Sequence, residues 1–423
     1  MLFCNVNEEE IEFHKEFEKA GIIYKEIRLK NRGHICHDCG TFHINVKEYR
    51  TKRIVHSIYA HQKCIVLYRQ RRFICPNCGK TCMEDNPFIS SDENRVSDQT
   101  VENVLKDLKR YNNTFTAVAE RYGLTARGVM KIFDRYCQME RNYLPRVMCV
   151  DEVYFSRVRR KKYVLILLNF HNRAIIDVLK DRDKHTIAAY LSRIPREERE
   201  RVEYVSIDMN EHYRDVFKIY LRKATVIADS FHVVKLVCKV LDDCRKKVMR
   251  RFEEQKKSDE YYLLKYHSDL LLARQVSYDR KKNKHFSYYI SESEMLEDML
   301  LIDPLLKEAY SLVQKYLSFN DRNYDGDLQS VRNDLNALIN DYRLAVNEDF
   351  HTLANTLDYW KEEIISSFSI VNGKRVSNGP IEGRNSLIKK VLKLANGYSN
   401  FQRFRNRIIY SLNKLASHNF NRN

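Results

Sequence analysis

The chain has 423 residues, 43% hydrophobic and 31% charged, which is room for two or three domains with a large core and excludes a disordered polyelectrolyte. Lys and Arg number 74 against 57 Asp and Glu, a formal charge of +17, so the expected partner is a polyanion, nucleic acid first and an acidic membrane surface second. The longest apolar run, around residues 163–168, is far too short to span a bilayer, and the acidic residues 1–10 lack the basic and apolar makeup of a secretory leader. A reducing cytoplasm is therefore the expected location, and eleven cysteines there mean metal ligands or buried thiols rather than disulfides.

Residues 1–92 read as a zinc-binding β module, with β-formers at 54–59 and 64–74. Cys36 and Cys39 form one CxxC pair and Cys75 and Cys78 another, each followed by a glycine, Gly40 or Gly79. Two thiolates two residues apart reach one tetrahedral ion, and four of them make a closed structural Zn2+ site. The wide gap between the pairs requires a small sheet between them, and Cys82 stands as an alternative to Cys78 for the fourth ligand. His34, His37 and His43 are expected at the surface. Arg50, Lys52, Arg53, Arg69, Arg71 and Arg72 interleave with Tyr49, Tyr59 and Tyr68, a mixture suited to phosphate contact, with Arg69, Arg71 and Arg72 the candidates for it.

Residues 93–142 read as a helix-turn-helix DNA-binding domain. Ala119 is small where two helices would cross, Gly123 can end the first in a turn, and Thr125 can cap the second. Val129 and Ile132 then pack back, leaving Arg127 and Lys131 to face a major groove.

Residues 143–249 carry strand and helix signals in the order strand, strand, strand, helix, strand, helix, strand. Asp151 follows an apolar run, Asp208 ends the strand within 202–210, and Asp229 ends the run 224–229, with His232 just beyond. That order is the order of a ribonuclease-H-like core, in which acids on the first and fourth strands are neighbours. Adjacent aspartates are costly without a cation between them, and an oxygen-only ligand set suits Mg2+ or Mn2+. Residues 250–370 are helical in pattern and read as an insertion. Residues 371–423 are expected to complete the core with basic helices, beginning at Asn378-Gly379-Pro380, where Pro380 suits a first helical turn and Glu382 falls within that turn.

These residues carry a resemblance. The two knuckles, Val150-Asp151-Glu152, Ile207-Asp208-Met209, the run Ala228 to Lys235 containing Asp229 and His232, and the run Ser377 to Asn385 resemble bacterial insertion-sequence transposases of the ISL-three family. The resemblance covers about residues 30 to 412; Ser230 stands where the family more often has arginine. It implies a DDE triad of Asp151, Asp208 and Glu382 holding Mg2+ or Mn2+, on a ribonuclease-H-like fold interrupted by a helical insertion. It further implies metal-dependent cleavage and strand transfer on double-stranded DNA, at transposon ends and target, by a homodimer or larger assembly without a nucleotide cofactor. Asp229 and His232 would support the triad or contact the leaving group. Two other functions fit the same residues: a zinc-dependent DNA-binding regulator with an inactive nuclease-like domain, and a structure-selective nuclease of the same fold.

Overall fold

The computed structural model describes residues 6–57, 61–90, 95–156, 161–323 and 327–419; Tyr59 lies outside them. The chain opens with β1 (Ile11–Lys19), β2 (Ile22–Leu29), the short pair β3 (His34–Ile35) and β4 (Phe42–His43), then β5 (Val46–Val55), β6 (Cys64–Ile74) and β7 (Thr81–Met83). Helices α1 (Asp98–Lys109), α2 (Phe115–Tyr122) and α3 (Ala126–Tyr136) follow. Next come β8 (Val147–Tyr154), β9 (Tyr163–Asn169), β10 (Ile175–Leu179), α4 (Lys184–Ser192), α5 (Arg196–Arg199), β11 (Tyr204–Ile207), α6 (Glu211–Tyr220), β12 (Thr225–Ala228) and α7 (Ser230–Arg250). A helical stretch holds α8 (Asp259–Tyr266), the strand pair β13 (Lys281–Lys282) and β14 (Tyr289–Ile290), α9 (Glu292–Leu301), α10 (Pro304–Arg322), α11 (Leu328–Arg343), α12 (Asp349–Tyr359) and α13 (Lys361–Ser366). The hairpin of β15 (Ile370–Val371) and β16 (Lys374–Arg375) leads into α14 (Gly379–Leu394) and α15 (Phe401–Leu412). Two compact units result: residues 1–140 with 387–423, and residues 141–386.

In the first unit the sheet runs β1-β2-β6-β5, with β7 on β6. Side chains alternate across it, so Ile27, Ile54, Val66 and Tyr68 face one core with Phe88 and Ile89. Arg71 departs from the expected surface role. Its guanidinium is buried and donates to Glu84 Oε1 at 2.7 Å, to Glu12 Oε2 at 2.6 Å and to the Leu29 carbonyl, so it ties strands together and is out of reach of a phosphate. Two histidines also move inward: His43 is buried, and the half-buried His34 stacks on Phe73, because an imidazole face packs well on an aromatic ring; only His37 stays exposed.

Helices α2 and α3 form with the caps and turn that the sequence offers. Thr114 and Thr125 cap α2 and α3 by accepting from Ala117 N and Gly128 N, both at 3.1 Å. Gly123 ends α2 at φ 65°, in the left-handed region that a side chain would disfavour. Ala119 and Val129 are buried, Phe133 fills more of the interior than Ile132 does, and Arg127 and Lys131 are exposed. Residues 387–423 group with this unit. Arg407 of α15, fully buried, donates to the carbonyls of Leu108, Arg110 and Asn113, and Tyr410 Oη donates to Leu105 O at 3.0 Å. The last carbonyls of α1 and its following turn need donors, and the basic helix supplies them.

In the second unit the sheet order is β10-β9-β8-β11-β12, with β8, β9 and β10 antiparallel and β8, β11 and β12 parallel. Residues 164–168 of β9 are all buried, as befits a sheet covered on both faces. The regular elements of the stretch 250–370 are helices apart from the small β13–β14 hairpin and the start of β15. It is no separate module: Leu306, Leu335, Phe350 and Phe368 share one continuous core with Val150, Ile207 and Ala228.

Candidate functional site

The register of the second sheet aligns the acids. Ser206 pairs with Cys149 and Ile207 with Ala228. Continuing each ladder puts Asp208 level with Asp151 on one side and with Asp229 on the other. Asp151 lies within β8 rather than at its end, since pairing with β9 continues to Tyr154. Asp208 and Asp229 leave the C-terminal ends of two parallel strands, where α/β sheets open into clefts.

Asp229 is buried and Asp208 half-buried. His232, in the first turn of α7, holds its Nδ1 3.1 Å from Asp229 Oδ2 and 3.2 Å from Asp208 Oδ1. Ligand atoms of Asp208, Asp229 and His232 all lie within 4.8 Å of one another, the span of a metal's coordination shell. Burial pushes the Asp208 carboxyl up to about 7, with the Asp151 charge adding to the shift. Burial likewise raises Asp151. The hydrogen bond to Asp229 raises His232 against its own desolvation. Crowded acids that resist ionisation together, beside an imidazole, form a donor set that a divalent cation would relieve.

Helix α14 lies over these acids through two asparagines. Asn378 donates its backbone N–H to Asp229 Oδ1 at 2.9 Å and its side-chain Nδ2 to Val150 O at 3.1 Å, and that Nδ2 stands 3.5 Å from Asp208 Oδ1. Asn385 Nδ2 donates to Asp151 Oδ2 at 2.6 Å. Glu382 falls between them at helical spacing i, i+4, i+7, hence on the same stripe of α14. Its side chain is exposed and makes no hydrogen bond or ion pair among the described residues. The structure thus gathers Asp151, Asp208, Asp229 and His232, while Glu382, exposed and one turn beyond Asn378, stands outside the Asp208–Asp229–His232 group. Sequence reasoning assigned no role to Asn378 or Asn385, although the spacing Asn378–Glu382–Asn385 was a readable signal. It also passed over the partners of Glu152, whose carboxylate accepts from Tyr213 Oη and the Arg182 guanidinium.

The second donor cluster is sulfur. Cys36 Sγ stands 3.5 Å from Cys78 Sγ, and Cys39 Sγ 3.5 Å from Cys75 Sγ. Ligand atoms of all four lie within 4.8 Å of one another. Zn–S bonds near 2.3 Å in a tetrahedron separate sulfurs by roughly 3.8 Å, so the four thiols fit zinc. Cys82 lies on β7 opposite Phe73 and outside the cluster, which favours Cys78 as the fourth thiol. Of the cationic candidates in the sheet, Arg69 and Arg72 keep some exposure but pair with Glu26 and Glu48.

Residues 148–408 match the family model of ISL-three DDE transposases, described as transposase. The chain belongs to that family. The match covers well over half of the transposase and takes in Asp151, Asp208, Asp229 and Glu382. No curated protein matches it. Among the described residues, no helix of the transposase is long and apolar enough to cross a membrane.

Proposed function

We propose that this transposase binds the ends of its element and carries out divalent-metal-dependent strand cleavage and strand transfer, with Asp151, Asp208 and Glu382 as the metal-holding triad. The observation that carries the reading is the shared level of Asp151, Asp208 and Asp229 on three adjacent strands under the Glu382 face of α14. The strand order β10-β9-β8-β11-β12 supports a ribonuclease-H-like core. Mg2+ or Mn2+ bound there would activate the attacking water or 3′-hydroxyl and stabilise the leaving oxygen. Asp151 and Asp208 supply oxygen ligands from rigid strand positions. Glu382, exposed and uncommitted, supplies the third from a helix. Asp229 fixes His232 by a hydrogen bond, His232 Nδ1 stands against the Asp208 carboxylate, and a raised imidazole can give a proton to a leaving oxygen.

Zn2+ at Cys36, Cys39, Cys75 and Cys78 is structural in this reading. Residues 1–140 recognise the ends through Arg127 and Lys131 on exposed α3, while Arg69 and Arg72 contact phosphates by exchanging carboxylate partners. The chain acts on double-stranded DNA as a homodimer or larger assembly.

The test is cleavage and joining of supercoiled plasmid carrying the element's ends, with Mg2+ or Mn2+. Asp151→Ala, Asp208→Ala and Glu382→Ala should each reduce both steps to background while end binding persists. Near-normal cleavage by one variant removes that residue from the triad. A wild-type protein that binds ends yet never cleaves them with either ion favours the regulator with an inactive nuclease-like domain, and cleavage without joining favours a nuclease.

A further inference from the structure

Two carboxamides sit against the acids with only their nitrogens engaged. Asn378 and Asn385 are 1% and 4% exposed. The Nδ2 of Asn385 is committed to Asp151, and that of Asn378 to Val150 O, with Asp208 close by. The Oδ1 of each is buried and accepts no hydrogen bond among the described residues. A buried acceptor without a partner is a cost that stability alone would not retain, since an apolar side chain of similar volume would avoid it. The same two side chains do something an apolar one could not. An amide donor fixes a carboxylate's orientation without neutralising its charge. A lysine or arginine in the same place would fix it too, but would repel an incoming cation.

We propose that Asn378 and Asn385 are positioning residues. They lock the Asp208 and Asp151 carboxylates in the orientations that receive divalent ions, and through their places four residues before and three after Glu382 they bring that third acid to the same point. This rests on the reading of the cluster as a divalent-metal centre. It predicts that ion affinity depends on the two carboxamides while the fold does not. Outer hydrogen-bond partners of metal ligands typically change affinity by about 10–100-fold.

The experiment is Mn2+ binding to the full-length protein, followed by the electron paramagnetic resonance signal of free Mn2+, with circular dichroism and zinc content as controls on folding. Asn385→Ala should weaken Mn2+ binding by roughly 10–100-fold with an unchanged circular dichroism spectrum. Plasmid cleavage should return when Mn2+ is raised in proportion. Asn385→Leu, of the same branched shape but without a donor, repeats the test if the alanine variant fails to fold, and Asn378→Ser examines the other side. Wild-type Mn2+ affinity in both folded Asn385 and Asn378 variants, or a loss of turnover that raised Mn2+ does not restore, overturns the proposal. Asp151→Asn separates the two readings: undiminished Mn2+ affinity there would overturn the metal centre itself, whereas its loss there beside wild-type affinity in the asparagine variants would overturn only the positioning role.

Discussion

The thiol cluster and the carboxylate cluster differ in how far the chain must travel to build them. Each knuckle closes on itself: Gly40 N donates to Cys36 O and Gly79 N to Cys75 O, both at 2.9 Å, and the two turns need only one sheet to meet. The carboxylate cluster draws on residues 151, 208 and 229 and on a helix that begins at residue 379, after the insertion has been threaded into the core. The electrostatics differ as well. Asp208 can keep a proton in the absence of an ion, because burial raises it to about 7. Four thiols, two buried and two exposed, gain little from meeting unless a metal joins them. In the proposed reading zinc at the thiols holds the β module together, whereas the carboxylates stand on a scaffold built by the surrounding core.

The largest expected effect follows from that contrast. Replacing Cys36, Cys39, Cys75 or Cys78 by serine should eliminate bound zinc, measured by elemental analysis, and unfold the β module locally, because structural zinc contributes on the order of 10 kcal/mol in comparable small domains. Cys82→Ser should keep the metal. A folded, zinc-free preparation would erase the contrast. Next comes Arg71→Ala, which strands Glu84 and Glu12 and should cost the first unit about 3–5 kcal/mol in denaturant unfolding. If the variant instead weakens DNA binding at unchanged stability, the buried assignment is wrong.

A smaller effect concerns pH. The folded-state pKa of Asp208 lies above the ordinary carboxylate range, so its contribution to stability is full below the unfolded value and is lost as pH rises through about 7. A divalent ion binds the ionised form and removes the loss. Thermal stabilisation by Mg2+ or Mn2+ should therefore be larger near about pH 8 than near about pH 5.5, and Asp208→Asn should flatten the difference. Equal stabilisation at both pH values in the wild type contradicts this. The smallest effects belong to recognition. Arg127→Ala and Lys131→Ala should each remove roughly 1–3 kcal/mol of discrimination between cognate and scrambled ends, whereas Arg69→Ala or Arg72→Ala should weaken all sequences alike and flatten the salt dependence. Binding isotherms at two salt concentrations distinguish the patterns. Undiminished cognate preference in the fragment 141–423 would move recognition out of residues 1–140.

Much of this was legible in the chain because local rules act over a few residues. The CxxC turns, the caps at Thr114 and Thr125, the left-handed Gly123 and the apolar runs into Asp151, Asp208 and Asp229 each depend on side chains within one turn or one strand of their own position. The same rules made Arg71 look like one more surface cation and gave no place to the Arg407 side chain. Both were decided by distant partners. Arg71 meets Glu12, 59 residues away, and Arg407 meets carbonyls of Leu108, Arg110 and Asn113, which no periodicity reports. The sequence by itself determined which atoms are available for chemistry, four thiols and a set of strand-associated acids, since composition and spacing carry that directly. Only the tertiary structure decided which of them meet: Cys78 rather than Cys82 at the thiol cluster, Asp229 and His232 beside Asp208, and Asn378 and Asn385 against the acids. Sheet register sets the meeting of the acids and is fixed by burial of a core whose members are scattered from Leu144 to Phe368, and hydrogen bonds from Asn378 and Asn385 tie the start of α14 to them.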